Sequence, residues 1–115
     1  MPLTIERMPN AYRLRILIGE NDKHDGKLLY EWIVIQARQQ ELAGATALRG
    51  LMGFGGDSRV IHTFKIERLS EDLPVVIELV DAQAKLESFL AHIEPLLRGG
   101  LATLEPVEAH FYRSH

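Results

Sequence analysis

Arginines stand at positions 49 and 59 on either side of a turn that carries glycines at 50, 53, 55 and 56. Glycine backbone can bend so that several N–H groups face one anion, and flanking guanidinium groups add charge and paired donors. Arg49, Gly50, Gly53, Gly55 and Arg59 therefore read as a cradle for a small anionic ligand such as a phosphate. Arg98-Gly99-Gly100 is a second, shorter version of the pattern. It follows a helix C-terminus, whose partial negative charge gives an anion no help, so only the Arg98 side chain and the amides after it can contribute. Both segments have a plainer reading, in which the glycines serve turn dihedrals and helix termination. No Gly-x-x-x-x-Gly-Lys-Ser/Thr run exists, so neither is a P-loop.

Other chemistry finds less support. Asp57, Ser58 and His62 hold the letters of a catalytic triad, but closeness in sequence does not supply a triad's geometry. Nothing in the loop resembles an activated nucleophile, so no catalytic residue is assigned and no enzyme is expected. Asp22-Lys-His-Asp25 offers oxygen and nitrogen ligands, yet reads more simply as a helix cap and solvated turn, and no metal site is assigned. His62 reads as a polar anchor between loop and strand, and Trp32 as core. The chain has no cysteine, which removes disulfides, thiolate sites and thiol catalysis together. A net charge of -3 with no basic cluster argues against nucleic acid. No apolar run approaches the roughly 18 residues of a membrane span, and Met1 to Arg7 hold no apolar core of signal-peptide length. A soluble cytoplasmic protein is expected, not itself embedded in a membrane.

The elements that must position these residues follow from periodicity. The 115 residues read as one domain, 1–115, with its core from about 12 to 112 and frayed ends at 1–10 and beyond Arg113. Tyr12 to Ile18 alternates, putting Tyr12, Leu14, Ile16 and Ile18 on one face and Arg13, Arg15 and Leu17 on the other. A helix capped by Asp22 or Asp25 carries the stripe Leu28, Leu29, Trp32, Ile33 and Ile35, and ends near Leu42 with Gly44 as a left-handed terminator. Ala45 to Met52 is strand-like, Val60 to Glu67 an extended arm, and Leu73 to Val80 a strand with Pro74 at its mouth. Asp81 is placed to cap a second helix, with Leu86, Phe89, Leu90, Ile93 and Leu97 at helical spacing and Pro95 disturbing its last turn. Short strands at Leu101–Leu104 and Val107–Tyr112 close the chain.

Two strand–helix–strand units in tandem, each with a right-handed crossover, put both helices on one face of an antiparallel sheet. The expected fold is α+β, ferredoxin-like (βαββαβ), with an extra arm and a short extra strand. Its first and third main strands are central and adjacent. Arg13, Arg15, Val76, Glu78 and Val80 then share the helix-free face. That face is too apolar for comfortable solvation and too charged for a private core, so self-association is expected to cover it.

Leu17-Ile-Gly-Glu-Asn-Asp-Lys23, Gly44-Ala-Thr-Ala-Leu-Arg-Gly50, Gly53-Phe-Gly55, Ser58, Ile61-His-Thr63 and Leu69-Ser-Glu-Asp-Leu-Pro-Val-Val-Ile-Glu78 resemble domain-of-unknown-function family 190 over about residues 12 to 112. That family is similar to the PII signal-transduction proteins, ferredoxin-like homotrimers that bind adenine nucleotides in clefts between subunits. The resemblance implies a homotrimer that senses a small anionic metabolite of the adenine-nucleotide class and signals to a protein partner, a transporter or an enzyme. It also implies that the Arg49–Arg59 segment and Arg98-Gly99-Gly100 wall the cleft. The first loop has no tyrosine for uridylylation, and the second has Arg98 before its glycines where nitrogen-regulatory PII proteins have Gly-Asp-Gly-Lys. A ligand-free interaction protein on the same fold is the alternative, followed by a metal-tolerance protein or an enzyme.

Overall fold

The computed structural model describes residues 3–54 and 72–114. Gly55, Gly56, Asp57, Ser58, Arg59, His62 and the arm expected from Val60 to Glu67 lie outside the described residues. The described elements run β1 (Leu3–Met8), β2 (Ala11–Gly19), β3 (Lys23–His24), β4 (Lys27–Leu28), α1 (Leu29–Gln39), β5 (Gly44–Arg49), β6 (Pro74–Ala82), α2 (Gln83–Ile93), β7 (Leu101–Pro106) and β8 (Ala109–Ser114). The main sheet is antiparallel with strand order β5-β6-β2-β7. This is the ferredoxin-like order, with β2 and β6 central as the tandem units require.

The alternation in β2 and β6 decides which face is covered. Leu14, Ile16 and Ile18 of β2 and Val75, Ile77 and Leu79 of β6 are buried. They meet Leu29, Ile33 and Ala37 from α1 and Leu86, Phe89 and Ile93 from α2 in one core cluster. Each such aliphatic or aromatic side chain contributes roughly 1.5–3 kcal/mol on burial. The expected stripe on α1 is corrected at three points, the first being Leu28, which stands in β4 before the helix. Ile35 is 53% exposed and its place toward the sheet is taken by Ala37, while Trp32 is only partly buried at the edge of the core. A strict 3.6-residue period carries Leu29 through Ile33 to Ala37, and Ile35 falls on the far side.

The helix ends also differ from expectation. Neither helix has a side-chain cap, and their N-cap positions are Leu28 and Ala82. Asp25 instead sits at φ +52 beside Gly26 at φ +77, in the β3–β4 hairpin that the sequence reading missed. Asp22 Oδ2 accepts from the Gly19 amide at 3.1 Å, and the Asp22 carbonyl accepts from the Leu29 amide at 2.7 Å. At the other end of α1, Glu41 and not Gly44 adopts the left-handed conformation, at φ +59. The Leu42 amide donates to the Ala37 carbonyl and the Glu41 amide to the Arg38 carbonyl, the paired bonds of a Schellman ending. Gly44 is thereby free to begin β5.

Asp81 holds the two helical units together. Its side chain is 9% exposed and accepts from the Ala43 amide at 2.9 Å and the Ala82 amide at 2.7 Å, with Lys85 Nζ at 3.6 Å. It is thus a latch between the α1–β5 turn and the start of α2. Pro95 disturbs the end of α2 as expected, giving a 3-10 turn over Glu94–Leu96. The ends of the chain are corrected too. Residues 3–8 are paired along their length with Ala109–Ser114, from Leu3 opposite Ser114 to Met8 opposite Ala109.

Candidate functional site

The antiparallel order brings both glycine turns to one end of the sheet. β5 finishes there at Arg49, β6 begins there at Pro74, β2 finishes at Gly19, and β7 begins at Leu101. The Gly50–Phe54 segment and Arg98-Gly99-Gly100 nevertheless lie on opposite edges, because β6 and β2 stand between β5 and β7. Three inter-strand steps separate them, about 14 Å.

Each turn is shaped by close contact. The Gly50 amide donates to the Pro74 carbonyl at 2.7 Å, and a Cβ on Gly50 would come within 2.8 Å of the rigid Pro74 ring. At the other edge, a Cβ on Gly100 would meet the Leu17 carbonyl oxygen at 2.8 Å, and Gly99 before it sits at φ +70. Glycine is required there by the backbone itself. Gly53 is half-buried against Pro74, while Leu51 and Phe54 beside it are 90% and 65% exposed. Arg98 is exposed.

The charges at this end are mixed. Arg49 is ion-paired with Glu20, whose own amide donates to the Leu73 carbonyl at 2.7 Å. Asp72 Oδ1 accepts from the Asn21 amide at 2.6 Å. Partial burial raises the Asp22 carboxyl above its ordinary value; its bond from the Gly19 amide opposes this, and the charge of Asp72 adds to it. An anion arriving at Arg49 meets a guanidinium already shared with Glu20. Sequence reasoning missed Glu20, and only its position two strands from Arg49 in the fold makes it relevant.

The helix-free face carries a second constellation. The registers align Thr46, Glu78, Arg15 and Thr103 across the four strands, and likewise Leu48, Val76, Leu17 and Leu101. Arg15 Nε and Nη2 donate to Glu78 Oε2 at 3.0 and 2.7 Å, a pair across the two central strands. Arg13 pairs instead with Glu105 on β7 through Nε at 3.1 Å and a second bond from Nη2. Those bonds hold the Glu105 carboxyl below its ordinary range and raise Arg13. Leu48 and Leu101 are more than half exposed at the ends of their row. Among the described residues no three His, Asp or Glu side chains form a metal-sized cluster, and no helix is long and apolar enough to cross a membrane.

A "UPF0166 protein" of Aquifex aeolicus is 37% identical over 95 residues, covering 83% of this chain and 89% of the relative. Another, from Methanocaldococcus jannaschii, is 34% identical over 107 residues, covering 92% and 95%. Among solved structures, CPII of Thiomonas intermedia K12, described as a nitrogen regulatory PII-like protein, superposes with a TM-score of 0.62 when bound to ADP and bicarbonate. That match has 14% identity and covers 92% of this chain and 91% of CPII. It establishes a PII-like, ferredoxin-like fold. The family model "Uncharacterized ACR, COG1993" matches residues 11–109, so the chain belongs to the DUF190 family.

Proposed function

We propose that this protein is a PII-like regulatory subunit, a cytoplasmic homotrimer that holds an adenine nucleotide between neighbouring copies and signals its occupancy to a protein partner. The observation that carries the reading is the placement of the two glycine turns, at one end of the sheet but on opposite edges. In a closed ring of copies, the β5 edge of one chain can face the β7 edge of the next. Arg49 and the amide of Gly53 would then stand across a cleft from Arg98, Gly99 and Gly100 of a neighbour, with Gly50 holding the turn against Pro74 and Gly55 and Arg59 following on the first chain. CPII, which shares the fold, is bound to ADP in its structure. Charge-assisted bonds from guanidinium and amide groups would hold the phosphates, and no covalent step is invoked.

A ligand-free interaction protein remains a second reading, favoured by Glu20 on Arg49 and by the steric need for Gly50 and Gly100. Equilibrium binding of AMP, ADP, ATP and cyclic dinucleotides to the purified protein separates the two. Under the first reading at least one binds, and Arg49→Ala or Arg98→Ala weakens it about ten- to a hundredfold. Arg38→Ala on α1 leaves it unchanged. Absence of binding across the panel, or equal binding by all three variants, overturns the site.

A further inference from the structure

The β1–β8 ribbon is paired along its length but packs substantially on no other described element. None of its residues belongs to the core cluster. A lone two-stranded ribbon is marginal in water, so a ribbon of this length needs a surface to lie on. Its two faces are unlike. On one, Arg113 Nε reaches Glu6 Oε1 at 3.2 Å and the Arg113 guanidinium lies 5.5 Å from the centre of the Phe111 ring, which closes that side with charge. On the other, the register places Leu3, Ile5 and Tyr112 together toward the outer end, at 59%, 59% and 67% exposure, with Arg7 and His110 following on the same face nearer the main sheet.

The helix-free sheet face has the complementary deficit. Two strands of six residues and two of nine give it a flat footprint of roughly 500 Å², short of the ~800 Å² per partner that a stable interface buries. Its apolar row, Leu17, Leu48, Val76 and Leu101, also lacks a cover within the described chain. Charge does not stand in the way. Arg13 and Arg15 are paired on the sheet, and Arg7 with Glu108 and Arg113 with Glu6 are paired on the ribbon. Bringing the two surfaces together strands none of these ions, the condition under which burying them is tolerable. The ribbon is also continuous with that face, since β1 leads into β2 through Pro9-Asn10 and β7 into β8 through Val107-Glu108.

We infer that the β1–β8 ribbon is an intersubunit arm whose Leu3, Ile5 and Tyr112 face lies on the helix-free sheet of a second copy of this chain, against Leu17, Leu48, Val76 and Leu101. This rests on the assembly part of the proposed function and names the element that completes the interface. The test compares wild type, Ile5→Ser/Tyr112→Ser and, as a control, Ile35→Ser, which alters an equally exposed apolar residue on the opposite face. Sedimentation velocity over a dilution series gives the assembly midpoint, and hydrogen exchange follows the amides of residues 3–8. Burial of an Ile and a Tyr side chain predicts assembly weakened roughly a hundredfold or more in the double variant. The control should assemble like wild type, and the amides of residues 3–8 should be more slowly exchanging in the assembled protein than in the diluted one. Wild type that assembles while the double variant matches its midpoint overturns the arm and leaves the assembly reading standing. So does fast exchange at residues 3–8 in the assembled protein. A monomeric wild type at micromolar concentration overturns both.

Discussion

Replacing Glu78 with Ala removes the carboxylate that Arg15 meets through two hydrogen bonds, at 3.0 and 2.7 Å. In a separated chain the two side chains are 37% and 29% exposed, and water takes up the freed guanidinium. A pair in that setting is worth about 0.5–1 kcal/mol, so the folding free energy of the single chain should fall by no more than that. If copies associate through this face, the same substitution leaves Arg15 covered and without a counter-charge, at roughly 3–5 kcal/mol per protomer. At 1.4 kcal/mol per factor of ten, that is about two to four orders of magnitude in association. Sedimentation velocity across a concentration series measures it, with Glu31→Ala on α1 as a surface-charge control. Arg15→Met/Glu78→Leu should recover most of the lost association, because it removes both ions together. Coincident dissociation midpoints for wild type and Glu78→Ala would refute the reasoning, as would a wild type that never leaves the monomer.

Asp81→Ala orphans the Ala43 and Ala82 amides beneath a nearly closed surface, so chemical denaturation should show a loss of about 2–4 kcal/mol. Glu41→Gly relieves a left-handed backbone while keeping the carbonyl that Lys85 Nζ reaches at 2.8 Å; a gain of about 0.5–1 kcal/mol is expected, read as a rise in Tm. Asp22→Asn keeps an acceptor for the Gly19 amide and removes a charge that the fold disfavours. Because the folded carboxyl is raised, the advantage of Asn should grow as pH climbs past the unfolded value of about 3.9 and level off above the folded one, whereas a Tm difference that shrinks with rising pH would contradict the assignment.

The layered fold was legible because β6 alternates throughout, β2 alternates from Leu14 to Ile18, and α2 keeps its apolar residues on one stripe; most of the twelve buried side chains in one cluster follow from those patterns. What escaped the reading was decided by tertiary contact. Asp81 has the type and place of an N-cap, yet the α1–β5 turn offers the Ala43 amide to it, and that bond exists only once both helices are docked. Residues 3–8 are too polar and too mixed to announce a strand, and their pairing partner lies a hundred residues away. Gly44 fits a terminator better than Glu41 does, but helix length is set by where Ala37 meets the sheet. At the candidate site, the position of the two turns at one end was readable from strand order. The role of Glu20 was not, because an ion pair across three strands leaves no trace in local spacing.

Trp32 is the chain's sole tryptophan, and it stands between two imidazoles, with His24 edge-on at 4.8 Å and His92 stacked at 6.0 Å. These rings come from the β3–β4 hairpin and α2, so the indole reports whether hairpin and both helices are in register. It lies on the helix side of the sheet, away from Arg15, Glu78 and the uncovered apolar row. Its emission is thus an optical signal for the integrity of the single chain that is insulated from events on the opposite face. Unfolding and association can be followed on one sample as separate observables, by colour and by mass, without a label being attached.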